Sequence, residues 1–234
     1  MLRTLYFHLR FIPASLIYST ATVVMRNSPN LKWGERRWAA SAIDAAGLRL
    51  ETDLSAMDDG PCVIMANHQS NLDIPVLVNV FPGRRIGFVA KQSLFEIPIF
   101  GKAMLASGHV PIDRSNRRRA MKSLDNAAKA AARGVTVVIF PEGTRNPDPS
   151  AGLQEFKIGG MIMALKCGLP VVPVIIHGTG TALPKGSGRV KPGVVRVRAL
   201  PALSPSDYTL KDRERFRDDL FKVMSEAWQE LARG

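Results

Sequence analysis

Cysteine is scarce in this chain, which has only Cys62 and Cys167 among its 234 residues. The two lie far apart and each sits in an apolar stretch, so we expect two buried thiols and not a disulfide. Neither has the spacing of a metal ligand, and we predict no metal site. Unpaired thiols fit best in a reducing environment that faces the cytosol.

Acidic residues are also few, since 20 Asp and Glu stand against 32 Lys and Arg, giving a net charge of +12. Such a charge points to an anionic partner, which could be a phospholipid surface, a nucleic acid or a phosphorylated substrate. The basic residues are not gathered with aromatic residues in a recognisable nucleic-acid-binding module, so we expect no nucleic acid partner. The length is enough for one domain with a substantial core.

The N-terminal apolar run is short, because residues 11–25 provide about 15 mostly apolar positions where a helix needs ~20 to cross a bilayer. A signal peptide is one alternative, with residues 19–21 as a small-residue cleavage site. The run continues past that site to Met25 and contains Pro13, which argues against a signal peptide. We favour a helix that lies in or dips into one leaflet, with a core helix as the alternative.

A second helical segment, residues 31–46, has basic residues interspersed with Trp33 and Trp38. This composition is typical of a helix at a membrane interface. A solvated basic face with two core tryptophans is the alternative. We therefore predict two units: an N-terminal helical hairpin, residues 1–46, that associates with an anionic membrane surface, and a domain formed by residues 47–234.

From residue 48 onward, short apolar runs alternate with amphipathic or small-residue segments, a pattern that predicts an α/β fold with a mostly parallel central sheet flanked by helices. A Pro/Gly/Lys-rich loop covers residues 184–193. The last predicted strand alternates apolar and basic residues, which is typical of an edge strand. The predicted strands cover residues 48–50, 62–66, 86–90, 110–112, 135–140, 171–176 and 194–200. The predicted helices cover residues 73–81, 93–106, 116–133, 156–167 and 210–231.

The segment Asn67-His68-Gln69-Ser70-Asn71-Leu72-Asp73 lies between a predicted buried strand and a predicted helix. Loops at the carboxyl ends of strands are where α/β sheets usually hold their ligands. A carboxylate bound to one imidazole nitrogen leaves the other free to act as a general base. Asp73 could instead be a simple N-cap of the helix, with Pro75 in its first turn. This pair alone does not decide between catalysis and capping.

Four further strand segments carry residues of interest. The segment Phe140-Pro141-Glu142-Gly143-Thr144-Arg145-Asn146 follows a strand, and such a turn can direct backbone N–H groups at an anion while arginine offers a planar fork for phosphate. An ordinary turn with a solvated arginine is the alternative. The others are Lys91, the segment Gly108-His109-Val110-Pro111-Ile112-Asp113-Arg114, and the buried strand Val171-Val172-Pro173-Val174-Ile175-Ile176-His177-Gly178, in which the proline would break a ladder position.

Taken together, these segments resemble, in order and approximate spacing, the four sequence blocks of the glycerolipid acyltransferase family. The resemblance is closest to the bacterial 1-acylglycerol-3-phosphate (lysophosphatidate) acyltransferases. It covers residues 62–178, half of the chain, and the basic N-terminal hairpin is similar as well. Pro111 stands where the family usually has phenylalanine, which leaves the local strand geometry open.

The resemblance implies a role for each residue. His68 would deprotonate the acceptor's hydroxyl, and Asp73 would orient the imidazole. Ser70 would be structural, Pro173 would shape the acyl or thioester side, and backbone N–H groups near His68 would stabilise the oxyanion. Glu142 would orient Arg145 or other groups without touching the anion itself. The implied phosphate-binding group is Lys91, Arg114, Glu142, Gly143, Thr144 and Arg145.

The implied reaction transfers a fatty acyl group from acyl-CoA or acyl carrier protein to lysophosphatidic acid, giving phosphatidic acid without a cofactor. Glycerol-3-phosphate or another lysolipid is the alternative acceptor. A non-catalytic peripheral protein that binds anionic lipid is the alternative of another class. The expected location is the cytoplasmic face of the cell inner membrane, with peripheral or monotopic attachment through the N-terminal helices and a hydrophobic slot for the acyl tail.

Overall fold

The computed structural model describes residues 1–28, 30–113 and 117–233, with only the backbone for residues 117–121. Its helices and strands follow the alternation that the sequence predicts. The helices are α1 Leu2–Val24, α2 Lys32–Ala46, α3 Asp73–Val80, α4 Phe100–Ser107, α5 Arg117–Ala132, α6 Ile158–Cys167, α7 Thr179–Ala182 and α8 Arg213–Arg233. The strands are β1 Leu48–Asp53, β2 Val63–Ala66, β3 Ile86–Lys91, β4 Val110–Ile112, β5 Thr136–Ile139, β6 Val171–His177 and β7 Gly193–Ala199.

The strands form one sheet in the order β1-β7-β6-β2-β5-β3-β4. Strands β2 to β6 pair in parallel, whereas β7 runs antiparallel to β6 and parallel to β1. The predicted mostly parallel sheet flanked by helices is therefore confirmed. Because β2 lies between β6 and β5, the segments that follow these three strands leave the sheet at the same edge.

Helices cover both faces of the sheet, which is why the central strands β2 and β5 are buried at every position. One face packs on α5, α6 and α8, where Phe216, Leu220 and Met224 are fully buried. The other face packs on α2 and α3, with Ile43 and Leu77 in contact with the strands. These two layers hold the sheet rigidly and leave its carboxyl edge open to the loops.

The prediction that residues 194–200 form an edge strand is wrong, because β7 lies between β6 and β1. Its basic side chains have acidic partners on neighbouring elements instead of facing bulk solvent. Arg196 Nε lies 3.2 Å from a carboxylate oxygen of Glu51 on β1, and Arg198 Nη1 lies 2.7 Å from one of Glu230 on α8. The basic residues on one face of this strand therefore indicated ion pairs with neighbouring elements and not a strand at the edge of the sheet.

The predicted helix over residues 93–106 begins only at Phe100, after a short 3₁₀ turn at Gln92–Leu94. Proline disfavours a helical conformation in the residue before it, so Pro98 separates the two pieces. Ile99 follows with a positive φ of 65°, outside the helical region. The short helix α7 was not predicted; it begins directly after β6 and becomes important for the site.

The two N-terminal helices pack against each other and against the domain. They approach closely at Gly34, where a Cβ atom would come within 2.9 Å of the Tyr18 carbonyl oxygen, and Trp38 Nε1 donates a hydrogen bond to Ser15 Oγ over 2.9 Å. Helix α2 buries Ala39 and Ile43 in the core beneath the sheet. The predicted helical hairpin is confirmed. Within the residues that the structure describes, no helix combines the length and the apolarity needed to cross a membrane.

Candidate active site

His68 and Asp73 meet in the loop between β2 and α3. His68 Nδ1 lies 2.7 Å from Asp73 Oδ2, and the same oxygen accepts the backbone N–H groups of Gln69 and Ser70 at 2.7 and 2.8 Å. A carboxylate only accepts hydrogen bonds, so the proton of the imidazole lies on Nδ1 and the lone pair on Nε2. The N-cap residue of α3 is Leu72, so Asp73 folds its loop around the histidine and does not cap the helix.

The second oxygen of the buried Asp73 carboxylate is held by Thr179, the first residue of α7. Thr179 Oγ1 donates to Asp73 Oδ1 over 2.5 Å, and both side chains are fully buried. Thr179 was not among the predicted site residues. It directly follows the Val171–Gly178 segment. The only signal for Thr179 in the sequence was a hydroxyl residue placed just after a strand at this edge of the sheet.

The imidazole of His68 is packed flat against an aromatic side chain. The ring centroids of His68 and Phe140 are 4.0 Å apart with an interplanar angle of 15°, and Phe140 stacks in turn on Phe88. The His68 side chain remains 17% exposed. Stacking on one side and the Asp73 carboxylate at Nδ1 fix the orientation of the ring, which presents Nε2 to whatever binds at this edge.

Glu142 and Asn146 hold the backbone of His68 from the neighbouring strand end. Glu142 Oε1 accepts the His68 N–H over 2.6 Å, and the Asn146 N–H donates to the His68 carbonyl over 2.7 Å. The other Glu142 oxygen accepts the N–H of Gln154 over 3.0 Å. Burial raises the pKa of Glu142, while these N–H donors lower it. Glu142, predicted in the phosphate-binding group, thus directs its carboxylate at the His68 backbone.

The remainder of the predicted phosphate-binding turn faces outward. Gly143 has a positive φ of 73°, and its N–H donates to the Phe140 carbonyl to close the turn. Thr144 is exposed and Arg145 is half-buried. Lys185 Nζ donates to the Arg145 carbonyl over 2.8 Å and lies 3.4 Å from Thr144 Oγ1. Lys185 was missed because the sequence identified its segment only as a loop.

That loop, which we call the 184–191 loop, is fixed at both ends. Thr4 Oγ1 accepts the Val190 N–H over 3.1 Å, and His8 Nε2 lies 3.1 Å from the Gly188 carbonyl oxygen. At its start, the Ser70 hydroxyl donates to the Leu183 carbonyl over 2.8 Å. Helix α1, the His68 loop and the turn at Arg145 are therefore all tied to one segment.

Asn67 is a further residue that the sequence reasoning did not single out. Its buried side-chain amide donates to the Ile176 carbonyl over 2.9 Å and accepts the Ile176 N–H over 2.7 Å. The amide thereby extends the pairing of β2 and β6 by one step beyond the strand. This contact sets the height of the His68 loop relative to α7 and hence to Thr179.

The remaining predicted residues are placed as follows. Lys91 is the exposed last residue of β3, the strand next to β5. Arg114 lies outside the described residues. Pro173 is buried within β6, opposite Met65, where the ladder to β7 is interrupted between the Val171–Leu203 bridge and Val174. The ladder to β2 is continuous through Pro173, and the Pro173 carbonyl accepts the Leu200 N–H over 2.9 Å. The role of Pro173 on the acyl side stays a prediction.

A largely apolar cavity of about 300 Å³ opens beside the His68 loop. Asn71 and Ile74 border it on the side of that loop, and Glu35 and His109 border it elsewhere. Its apolar walls come from α1, α2, β3 and the α4 region: Phe11, Trp38, Phe88, Ala90, Leu94, Phe100, Ala103 and Met104. Such a cavity has the character of the hydrophobic slot that the resemblance implies.

In the described part of the chain, no group of three His, Cys, Asp or Glu side chains is arranged to hold a metal ion.

Backbone N–H groups near His68 were expected to stabilise the oxyanion. The N–H groups of Gln69 and Ser70 instead donate to Asp73, that of His68 to Glu142, and that of Leu72 to Ser70 Oγ. These four donors hold the loop in shape. The expectation that backbone N–H groups near His68 stabilise the oxyanion stays a prediction, and these four N–H groups are not the donors in this arrangement of the loop.

The model of a known protein family, described as Acyltransferase, matches residues 48–177, more than half of the chain. The chain belongs to this acyltransferase family. The predicted family is therefore confirmed. The match extends from β1 to the end of β6. It includes the residues just described, except those of the N-terminal helices and those after His177.

Individual relatives agree with the family match. The chain is 32% identical to the 1-acyl-sn-glycerol-3-phosphate acyltransferase of Pseudomonas aeruginosa, over 86% of this chain and 80% of that protein. It is 39% identical to the chloroplastic enzyme BAT2 of Brassica napus, named likewise, but over 63% of this chain and 43% of the plant protein. The chain thus spans less than half the length of that plant relative.

A solved structure has the same architecture. The crystal structure of the 1-acyl-sn-glycerophosphate (LPA) acyltransferase PlsC from Thermotoga maritima matches with a TM-score of 0.83 and 26% sequence identity. The match covers 99% of this chain and 95% of that one. Because nearly the whole chain is covered, the N-terminal helices belong to the shared architecture together with the sheet.

Replacing Thr179 with valine should destabilise the fold by ~1–3 kcal/mol, because a buried carboxylate oxygen of Asp73 would lose its donor. Thr179→Ser is the matched control, since it keeps the hydroxyl and should lose far less. Urea unfolding of both variants measures the difference. A Thr179→Val protein as stable as the wild type would show that the hydrogen bond to Asp73 is dispensable.

Proposed function

We propose that this chain is a membrane-associated 1-acylglycerol-3-phosphate acyltransferase, which moves a fatty acyl group from an acyl thioester to lysophosphatidic acid and forms phosphatidic acid. The observation that supports this most strongly is the His68–Asp73 pair at the same sheet edge as the turn at Arg145. The names of the relatives and of the similar crystal structure point to the same acceptor.

The proposed step needs only the imidazole as a base. His68 Nε2 takes the proton of the acceptor hydroxyl while its oxygen attacks the thioester carbonyl carbon. Asp73 keeps the imidazole in the required tautomer and stabilises the imidazolium that forms. When the tetrahedral intermediate collapses, the C–S bond breaks and the thiolate takes up the proton that His68 holds. No acyl-enzyme forms, which agrees with Ser70 being buried and bonded to Leu183.

The acceptor's phosphate would be bound by the turn next to the base. Arg145 offers a planar fork that suits a phosphate, and Lys185 adds a second cation, whose Nζ donates to the Arg145 carbonyl of the same turn. Thr144 and Gly143 complete the turn. Lys91 belongs to the proposed group as the last residue of β3, and Arg114 by its place in the sequence shortly after β4. Binding the charged end here leaves the free hydroxyl of the glycerol within reach of His68.

The thioester's acyl chain would lie in the apolar cavity, whose opening borders the catalytic loop at Asn71 and Ile74. Burying an alkyl chain against aromatic and aliphatic walls provides binding energy in proportion to the area removed from water. The donor would be acyl-CoA or acyl carrier protein. Pro173 would shape the acyl or thioester side by setting the path of β6 behind the His68 loop. No cofactor takes part in the proposed step.

The membrane attachment rests on an exposed apolar stripe along α1. Leu2, Leu5, Leu9, Ile12 and Leu16 follow one another at spacings of three and four residues and all point to solvent. Trp33 on α2 is 46% exposed and Arg37 lies over its ring. An apolar stripe flanked by tryptophan and arginine suits an anionic bilayer surface.

We therefore propose that residues 1–46 attach the domain of residues 47–234 to the cytoplasmic face of the cell inner membrane. Both cysteines are free thiols, as expected on that side. The attachment would bring the carboxyl edge of the sheet to the lipid, where the lysophosphatidic acid acceptor resides. Since α2 also packs into the core, the hairpin would serve as an anchor and as part of the domain at once.

His68→Ala should lower acyl transfer to lysophosphatidic acid by ~10²–10⁴-fold, the usual contribution of a general base. Asp73→Asn should lower it as well, because the imidazole loses its orienting carboxylate. Thiol release from acyl-CoA and from acyl carrier protein measures the rate, with glycerol-3-phosphate and other lysophospholipids as competing acceptors. Vesicle binding should stay unchanged. If the wild type itself releases no thiol with any acceptor, the chain is a lipid-binding protein and not an enzyme.

Arg145→Met should lower kcat/KM for lysophosphatidic acid by about 10- to 100-fold, the usual cost of losing a hydrogen bond to a charged group. Lys185→Met should act in the same direction. Lys191→Met is the matched control, because it removes the same charge from the same loop and should change kcat/KM by less than about twofold. Monoacylglycerol, which lacks the phosphate, should be used equally by all four proteins; an equal loss with that acceptor would contradict phosphate binding at this turn.

Replacing Leu9 and Ile12 together with glutamine should weaken binding to phosphatidylglycerol vesicles at least about tenfold, because two apolar side chains leave the bilayer. The control pair, Leu210→Gln with Val223→Gln, changes two exposed apolar residues away from α1 and should bind like the wild type. Vesicle flotation gives the bound fraction. Equal binding by both double variants would remove α1 as the attachment surface.

A further inference from the structure

A second cavity, of about 250 Å³, lies at the amino-terminal edge of the sheet, opposite the edge that carries His68. We call it the amino-edge cavity. It is bordered by the start of α2 and by the residues that lead into β2, β3 and β5, and it takes no part in the proposed mechanism. Its lining consists of Lys32, Asp59, Pro61, Cys62, Gly83, Arg84, Arg85, Gly134, Val135 and Thr136.

The lining of the amino-edge cavity is positively charged. Three cations, Lys32, Arg84 and Arg85, stand against one carboxylate, that of the exposed Asp59, which leaves a net charge of +2. In the part of the chain that the structure describes, no ion pair includes any of these three cations. A concave site lined by one sign of charge attracts the counter-ion. The cavity therefore favours an anion.

Both arginines are held in place by main-chain carbonyl groups. Arg84 Nη1 donates to the Gly60 carbonyl over 2.8 Å, and its Nη2 donates to the Asp58 carbonyl over 2.5 Å. Arg85 Nη2 donates to the Ala106 carbonyl in the last turn of α4 over 3.1 Å. A guanidinium has five N–H groups, so each arginine keeps donors beyond those that fix it. Because these groups are already oriented, they lose little side-chain freedom when an anion binds.

Thr136, the first residue of β5, offers a buried hydroxyl to the same cavity. Its neighbours Val135 and Val137 belong to the core on the side of α5 and α8, so the alternation along the strand places the Thr136 side chain on the other face, together with Cys62. Thr136 is only 5% exposed, and its hydroxyl has no hydrogen-bond partner among the described residues. Since a buried hydroxyl is costly without a partner, water or a ligand in the cavity must pair with it.

Lys32 brings the third cation from the N-terminal hairpin. Its Nζ lies 3.4 Å from the Gly83 carbonyl oxygen, directly before the two arginines. The next residue, Trp33, is 46% exposed and belongs to the surface proposed to contact the bilayer. The volume is below the ~300–1,000 Å³ of pockets that hold drug-sized ligands. A phosphate with a small organic group therefore fits this cavity, whereas a nucleotide does not.

We propose that the amino-edge cavity is a second phosphate-binding site, separate from the turn at Arg145. The phosphate is bound by Lys32, Arg84, Arg85 and the Thr136 hydroxyl, since guanidinium and ammonium groups form strong, charge-assisted hydrogen bonds with phosphate oxygens. It belongs either to the headgroup of a membrane lipid or to a small soluble ester. A bound phosphate connects the start of α2 to the residues before β3, and hence the hairpin to the sheet. The inference does not depend on acyl transfer.

The test measures binding of inorganic phosphate to the full chain in detergent by isothermal titration calorimetry. All variants are made in a parent protein that carries Arg145→Met and Lys185→Met, so that the turn at the opposite edge does not contribute. Lys32→Met should weaken binding about tenfold, because the phosphate loses a charged donor. Thr136→Val should weaken it about threefold, the usual effect of a neutral hydrogen bond.

Two matched controls accompany these variants. Lys222→Met makes the same change at an exposed position on α8, on the other face of the sheet, and Thr136→Ser keeps the hydroxyl. Both should bind phosphate within about twofold of the parent. Unfolding is not a concern for Thr136→Val, because no hydrogen bond within the described protein is lost. A parent that binds no phosphate, or a Lys32→Met variant that binds as tightly as the parent, would overturn the proposal.

Amide hydrogen exchange locates the bound phosphate. In the parent protein, phosphate should slow exchange in residues 58–62 and 81–86, which surround the two arginines. The Lys32→Met variant should show less of this protection at the same phosphate concentration. Protection confined to residues 142–146 would place the phosphate at the other edge and refute the amino-edge site.

The source of the phosphate is decided by a second ligand, dihexanoylphosphatidylglycerol, kept in detergent-free buffer below the concentration at which it forms micelles. Tighter binding of this lipid than of inorganic phosphate, weakened by Lys32→Met, assigns the site to a lipid headgroup. Binding of inorganic phosphate alone assigns it to a soluble ester. If neither ligand responds to Lys32→Met, the site does not exist. Acyl transfer by the wild type is measured separately, so failure of this proposal and failure of the proposed function are distinguishable.

Discussion

The buried carboxylate of Asp73 is the constraint on which the rest of the site depends. It accepts hydrogen bonds from the His68 ring, from two backbone N–H groups of its own loop and from the Thr179 hydroxyl. Removing a carboxylate from water is costly unless donors replace the water. The donors that make this burial stable also fix the imidazole, so the stability of the loop and the orientation of the His68 ring have the same physical origin.

The order of strands explains how distant segments reach that carboxylate. Strand β2 lies between β6 and β5, so the loop that carries His68 is flanked by α7 on one side and by the turn at Arg145 on the other. Asn67 ties the loop to β6, and Glu142 ties it to the segment after β5. The site is therefore assembled by parallel pairing, and both flanking segments contribute buried polar contacts to the loop.

Local sequence patterns were sufficient to predict most of the fold and to single out the His68–Asp73 pair. Apolar runs and their alternation predicted the strands, and a short ordered set of motifs predicted the family. The location of β7 inside the sheet and not at its edge could not be predicted, since its basic residues pair with Glu51 and Glu230, which are far away in sequence. Thr179 and Lys185 were missed for the same reason: each acquires its meaning from a contact across tens of residues or more, which no local pattern records.

The tie between α1 and the 184–191 loop has a consequence for how remote changes act. Thr4 and His8 bond to that loop, and Lys185 bonds from it to the Arg145 carbonyl. A disturbance in the first two turns of α1 would therefore be transmitted through two successive hydrogen-bonded steps, from α1 to the loop and from Lys185 to the turn at Arg145. If α1 lies against lipid and the turn at Arg145 binds the phosphate, as proposed, lipid packing around α1 would affect phosphate binding, and bilayer composition would become a variable of substrate selection.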